Sequence, residues 1–217
     1  MTLDYAKARA AMVEQQVRPW DVLDPRVLRA LSELPREDFV PAAHRALGYV
    51  DIAIPLGHGE AMMKPVVEGR VLQALALNEL DEVLEIGTGS GFMAACLGHL
   101  AREVVSIERH ADLADAALTR LLAHGIGNVR VEHADAFAWD TDRRFDAICV
   151  TGAVDTVPSR FLQWLRPGGR MFIVHGRAPA MQAALVRAEV NGMRSESLFE
   201  TDLAYLTGAA PVPAFEF

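Results

Sequence analysis

The sequence predicts an α/β fold: helices first, then a doubly wound, mostly parallel sheet, and an antiparallel hairpin at the end. Three observations predict it. From residue 82 onward, short β-rich runs alternate with helical stretches of about 10–15 residues, the pattern of parallel βαβ units. A glycine-rich loop, "LEIGTGSGF", joins the first of these strands to its helix. Asn191-Gly192 stands between two alternating runs near the C-terminus, the strongest short hairpin signal.

Each element has a local reason. Residues 4–17 read as a helix, with Ala8, Met12 and Gln16 on one four-residue row and Ala11 and Val17 beside it. "DPRVLRALSEL" (24–34) is a second helix, capped by Asp24 and with Pro25 in its first turn. "PREDFVP" closes this N-terminal part. Residues 48–69 are turn-rich, and "VVEGRVLQALALNEL" is helical. "EVLEIGT" (82–88) is a strand ending in glycines, "FMAACLGHLA" a helix and "EVVSIER" (103–109) a strand. "ADLADAALTRLLAHG" is a helix, with Leu118 and Leu122 four apart and Gly125 at its C-terminal end. "NVRVEHAD" alternates as a strand and "FDAICVTGA" is a buried strand. "SRFLQWL" is a helix, "PGG" a turn and "RMFIVHG" another strand.

Bulk properties exclude several classes. The 217 residues suit one domain, 1–217, and 51% hydrophobic with 23% charged residues suits an ordinary globular core. A net charge of −8 without a basic patch argues against a nucleic-acid partner. Cys96 and Cys149 lie in apolar stretches without a CxxC, so both read as buried reduced thiols and the chain as cytoplasmic. The first residues lack the apolar segment of a signal peptide, and no run of 18 apolar residues is present to cross a membrane. The seven histidines have no ligand-like spacing, so no metal is expected.

The glycine loop carries the chemistry. Gly87, Gly89 and Gly91 allow a sharp turn and a close approach to a ligand at the start of a helix, where backbone N–H groups are free. The dinucleotide fingerprint is GxGxxG; here the third glycine comes one residue early and Phe92 holds its place. Glu85 at the strand end would oppose a pyrophosphate and favour an ammonium or sulfonium. S-adenosyl-L-methionine carries both cations and no phosphate. Glu108 ends the second strand, where an acid can accept both ribose hydroxyls, and Asp135 ends the third, where it can accept from an adenine amino group. Phe137 and Trp139 follow it, either flanking the adenine or packing the core.

With these residues in view, the chain resembles the protein-L-isoaspartate (D-aspartate) O-methyltransferase family over nearly its whole length. "PREDFVP" is similar to that family's "PRE-FVP", "YVDIAIPLGHGEAMMKP" to its "AY-D-PLPIG-GQTIS-P", "FDAICVTGA" to its "FD-I-VTAA", and "LAYLTG" to the end of its "V-FVPLTG". The resemblance implies the class I S-adenosylmethionine-dependent methyltransferase fold, Rossmann-like, with N-terminal helices and the substrate loop in 1–70 and the cofactor-binding sheet and hairpin in 71–217. It implies methyl transfer to the free carboxylate of isoaspartyl residues in proteins or peptides, leaving S-adenosyl-L-homocysteine. The cofactor set it implies is Glu85, Gly87, Thr88, Gly89, Ser90, Gly91, Glu108, Arg109, Asp135, Ala136 and Thr151.

The substrate loop, Glu60, Ala61, Met62, Met63 and Lys64, departs from the family's pattern. Ala61 stands where the family has a threonine and Met63 where it has a serine, in a loop that closes over the cofactor and whose hydroxyl meets the substrate carboxylate. The acceptor carboxylate is already ionised and the sulfonium already activated, so no residue is singled out as catalytic. The two methionines either pack the loop against the sheet or form an adaptable apolar lid. Lys64 is either a solvated lysine or a partner for the substrate carboxylate. His58 has no expected role. The expected activity is weak isoaspartyl methylation; the alternatives are a methyltransferase with another acceptor and a cofactor-binding regulator with little turnover.

Overall fold

Aspartates start the first two long helices by the same device. In the computed structural model, which describes residues 3–212, α1 (Tyr5–Met12) begins where Asp4 accepts from the Lys7 amide at 3.1 Å. In α2 (Pro25–Glu33), Asp24 accepts from the Arg26 amide at 2.8 Å and Pro25 occupies the first turn. The helix expected over 4–17 changes pitch at Met12. It widens into a π turn (Val13–Val17), tightens into a 3₁₀ turn (Arg18–Trp20) and stops at Asp21, whose φ is 62°. A short α3 (Arg36–Phe39) and a 3₁₀ turn (Ala42–Leu47) follow.

β1 (Ile54–Gly57) and β2 (Glu60–Met62) form a separate antiparallel hairpin. α4 (Pro65–Leu75) ends five residues before the predicted Leu80. Its breaker is Asn78: its side chain accepts from the Leu80 amide at 2.9 Å, and its own amide donates to Asp81 at 3.1 Å, so a side-chain turn outcompetes the helix.

The remaining elements are β3 (Glu82–Ile86), α5 (Phe92–Leu100), β4 (Glu103–Glu108), α6 (Ala111–Ala123), β5 (Val129–His133), β6 (Phe145–Val154), α7 (Ser159–Gln163), β7 (Leu165–His175), β8 (Met181–Glu189) and β9 (Gly192–Thr201). They build one sheet in the order β5-β4-β3-β6-β7-β8-β9. Pairing is parallel from β5 to β7, and β8 runs antiparallel to both its neighbours. Two turns differ from the sequence reading. Pro167-Gly168-Gly169 lies inside β7 as an irregularity, between the pairs Phe145↔Leu165 and Ala147↔Arg170. The hairpin slips by one: Glu189 pairs with Gly192, so Val190 and Asn191 make the turn and Gly192 closes it at φ 123°.

Strand alternation divides the core between the two sheet faces. Val83, Val104, Cys149 and Phe172 join Met12, Leu31, Leu72 and Leu97 on one face. Leu84, Val105, Ile148 and Met171 join Phe161 and Trp164 on the other. In α6 it is Leu113, Ala117 and Leu121 that are buried, and the Leu118–Leu122 row faces outward. The chain builds outward from β3 through β4 to β5, then crosses to β6 on the other side. A crevice at that reversal, at the carboxyl ends of β3 and β6, is where open α/β sheets take ligands.

Candidate active site

A cleft opens at that reversal, with about 880 Å³ of free space when its open mouth is counted. Ile86 and Gly87 from the end of β3, Glu108 and Arg109 from β4 and Thr151 and Gly152 from β6 line it. The loop after β5 adds Asp135, Ala136 and Phe137, and the β1–β2 hairpin adds Glu60 to Lys64.

Backbone donors hold the Glu108 carboxylate. Its Oε2 accepts from the Gly89 amide at 2.8 Å and its Oε1 from the His110 amide at 2.9 Å. One oxygen is thus tied to the glycine loop and the other to the start of α6. Asp135 is held in the same manner, accepting from the Phe137 amide at 2.9 Å and from Arg109 at 3.2 Å. Arg109 also reaches the Thr207 carbonyl at 3.4 Å.

Two glycines of the loop have different tasks. Gly87 has φ 97°, and a Cβ there would collide with the Thr151 hydroxyl. Gly91, at φ 86°, starts α5 and lies against α6, where an added Cβ would come within 3.0 Å of the Ala117 Cβ. It does not line the cleft, and its position supports a helix-packing role in place of the expected ligand contact. Gly89, Thr88 and Ser90 border a smaller recess of about 290 Å³ that continues the cleft behind the methionines. The Thr88 hydroxyl bonds that of Ser106 at 2.5 Å, and Ser90 Oγ accepts from the Phe92 amide at 3.2 Å.

Glu85 is corrected more strongly. It is fully buried on the Val83 side of β3 and borders neither cavity. Its register partner is Ser106, whose hydroxyl donates to Glu85 Oε2, while Oε1 has no partner among the described residues. Burial pushes this carboxyl up to about 8, with the nearby Glu108 adding to the rise. A neutral acid facing the core cannot supply the cleft's preference for cations. Glu60, Glu108, Asp135 and Asp202 supply it instead, against Lys64 and Arg109.

Thr151 lines the cleft, yet its hydroxyl donates to the carbonyls of Ile86 (2.9 Å) and Gly87 (2.5 Å), locking the turn after β3 to β6. Phe137 also lines it. Trp139 does not; its indole donates to Glu132 at 2.9 Å.

The two readings of the methionine loop merge. Met62 and Met63 are 4% and 5% exposed, belong to the core beneath the sheet, and still present surface to the cleft. The hairpin is clasped at its tip. His58, at φ 55°, stacks on His110 with centroids 4.2 Å apart and reaches Asp112 at 3.0 Å. Glu60 accepts from the Thr207 hydroxyl at 3.0 Å. A serine at 63 would therefore remove a core side chain. Met63→Ser is expected to cost about 2–3 kcal/mol, toward the low end for truncating a buried methionine because one side faces the cleft. Urea denaturation checks this; an unchanged midpoint would show that Met63 is only a lid.

Two groups of site residues have no local signal in the sequence. Asp202, Leu203, Ala204, Leu206 and Thr207 form one wall of the cleft. They are held where the Ala153 amide donates to the Ala204 carbonyl and the Leu206 amide to that of Ala153, both at 2.8 Å. The likeness of "LAYLTG" to a family ending was the available pointer. The second group is the Arg36–Glu68 pair. Arg36 is fully buried, forks onto both Glu68 oxygens at 3.0 Å, and donates to the carbonyls of Gly48 and Met63 at 2.6 Å. It anchors the methionine hairpin from below.

Among the described residues, no group of three or more His, Cys, Asp or Glu is arranged for a metal, and no helix is long and apolar enough to cross a membrane.

Known proteins are similar to this chain. A Rhodopseudomonas palustris protein-L-isoaspartate O-methyltransferase 1 is 39% identical over 94% of this chain and 84% of its own length. A Marinobacter nauticus protein-L-isoaspartate O-methyltransferase 2 is 37% identical over 94% and 93%. Among solved structures, a Plasmodium falciparum protein described as a protein-L-isoaspartate O-methyltransferase in complex with S-adenosyl-L-homocysteine superposes with a TM-score of 0.80. It is 18% identical and covers 91% of this chain and 97% of its own, so it shows the shared fold. That fold is the class I methyltransferase, Rossmann-like α/β architecture. The family model for protein-L-isoaspartate(D-aspartate) O-methyltransferase matches residues 7–205, and with these relatives it establishes that the chain belongs to that family.

Proposed function

We propose that this protein methylates the free carboxylate of isoaspartyl residues in proteins or peptides, using S-adenosyl-L-methionine and leaving S-adenosyl-L-homocysteine. The observation that carries the reading is the acid-rich cleft at the strand reversal, with Glu108 fixed by the glycine loop on one side and the methionine hairpin on the other. The residues fit this cofactor. The cleft offers acids to a cation, and the same acids would repel a pyrophosphate. In this reading Glu108 takes the ribose hydroxyls, Asp135 the adenine amino group, and Gly87 and Gly89 allow close backbone approach; that all four line the cleft supports it.

When bound, the cofactor supplies a methyl group on a positively charged sulfur. The chain's own task is to hold an ionised carboxylate in line with it and exclude water. The apolar surfaces of Leu56, Met62 and Met63 serve the exclusion, and the hairpin clasp keeps them in place. The whole chain serves as a single domain, with residues 1–70 supplying helices and substrate loop and 71–217 the cofactor sheet. One core running from Met12 and Leu31 to Val83 and Phe172 supports this division of labour. Two buried free thiols, Cys96 and Cys149, support a cytoplasmic location, and the net charge of −8 supports protein rather than nucleic acid as partner.

The test is methyl transfer from labelled cofactor to an isoaspartyl peptide, with the aspartyl isomer as control. Equal labelling of both, or of neither, sinks the reading. Glu108→Ala is expected to weaken S-adenosylhomocysteine binding by about 10–100-fold, as for a lost charged acceptor. Calorimetry checks it, and an unchanged dissociation constant would mean another acid takes the ribose.

A further inference from the structure

We propose that Lys64 is the group that holds the acceptor carboxylate, in place of the hydroxyls this loop lacks. The proposal rests on the isoaspartyl reading above and names the residue that selects its substrate. Four observations carry it.

Lys64 lines the cleft directly after Met63. Its backbone is fixed on both sides: Arg36 donates to the Met63 carbonyl at 2.6 Å, and the Lys64 carbonyl accepts from the Glu68 amide at 3.0 Å as α4 begins. Only the long side chain is left to move. The other cation of the cleft, Arg109, is already committed to Asp135 and the Thr207 carbonyl. Among the described residues, Lys64 forms no ion pair, so it is the cleft cation still to be satisfied.

Charge makes such a group necessary. The cleft carries Glu60, Glu108, Asp135 and Asp202. An incoming carboxylate meets their repulsion, which a cation at the same mouth offsets. The side chains of Ala61 and Met63 have no hydrogen to donate in compensation. A lysine differs from a hydroxyl in its consequences. Its attraction is strongest for the full charge of the unreacted carboxylate and declines as that charge is consumed. Lys64 therefore contributes to substrate binding rather than to the chemical step, and it loses its partner once the neutral ester has formed.

The test uses the full chain saturated with S-adenosylhomocysteine, titrated by calorimetry with an isoaspartyl peptide and with the same peptide carrying a carboxamide in place of the free carboxylate. Wild type should prefer the carboxylate by about 10–100-fold. Lys64→Gln should lose that preference while binding S-adenosylhomocysteine normally, and Lys64→Arg should keep it. In steady state, Lys64→Gln should raise KM by a similar factor with kcat unchanged or slightly higher. A preference that survives in Lys64→Gln, or a parallel tenfold loss of S-adenosylhomocysteine affinity, overturns the assignment. If wild type methylates the isoaspartyl peptide and only the Lys64 results disagree, the isoaspartyl reading stands and Lys64 alone is misassigned. If wild type binds S-adenosylhomocysteine but neither binds nor methylates the peptide, the isoaspartyl reading fails and the Lys64 proposal falls with it.

Discussion

Replacing Arg36 by methionine is expected to cost the fold about 3–5 kcal/mol, the usual effect of removing one partner from a buried ion pair. Arg36 is fully buried and Glu68 is 1% exposed, so water cannot take over the lost contacts. Burial already pushes the Glu68 carboxyl above its ordinary range, against the pull of the guanidinium. Without Arg36 that carboxyl must take up a proton or sit unpaired, and the Gly48 and Met63 carbonyls lose their donor. The guanidinium also lies 5.3 Å from the Phe92 ring centroid, a contact that methionine only partly replaces. Urea denaturation at pH 7 measures the effect, and the double change Arg36→Met, Glu68→Leu should recover part of it by removing the stranded acid. A single-variant loss under about 1 kcal/mol would mean that water reaches the pair. Because Met63 is one of the anchored carbonyls, the single variant should also loosen the hairpin and raise the KM for peptide.

The second large effect is a dependence of stability on pH that disappears in Glu85→Gln. The folded carboxyl is raised from an ordinary 4.5 to about 8, chiefly by burial. The native state therefore holds its proton across a range where the unfolded chain has released it. By linkage, the stabilisation is complete below pH 4.5 and is lost as pH rises through 8. The slope is about 1.4 kcal/mol per pH unit, so wild type should lose on the order of 4 kcal/mol between pH 5 and 8 from this group. Glutamine keeps the shape and cannot ionise. Glu85→Gln should show a flatter profile and exceed wild type at pH 8. Urea midpoints at pH 5.5, 7 and 8.5 for both proteins provide the check, and parallel profiles would show that Glu85 is ionised in the native state after all.

The sequence by itself determined the order of strands and helices from residue 82 onward, the helix cap at Asp24, the glycine turn, and the placing of Glu108 at the end of β4; Asp135, expected to end the third strand, lies in the loop after β5. These follow from near neighbours: a run of β-branched residues, an acid before a helix, a glycine where φ must be positive. The likeness of its motifs to a known family was legible for the same reason, since those motifs are short and contiguous. The position of Glu85 was legible only in part. Two-residue alternation groups it with Val83, but not with a particular neighbour, and it was the register Glu85↔Ser106 that turned it into the core. Gly91 looked like its neighbours in the loop until α6 was seen against it. The hairpin turn moved by one residue because the pairing of β8 with β9 set it, not the Asn-Gly dipeptide alone. Tertiary structure decided the Arg36–Glu68 anchor, the clasp of His58 on His110 and Asp112, and the position of the wall that the "LAYLTG" segment makes. Each joins groups between 32 and 147 positions apart, as with Arg36 to Glu68 and Glu60 to Thr207. No local spacing encodes such pairs, because they form only when burial of a shared apolar face has already brought the segments together.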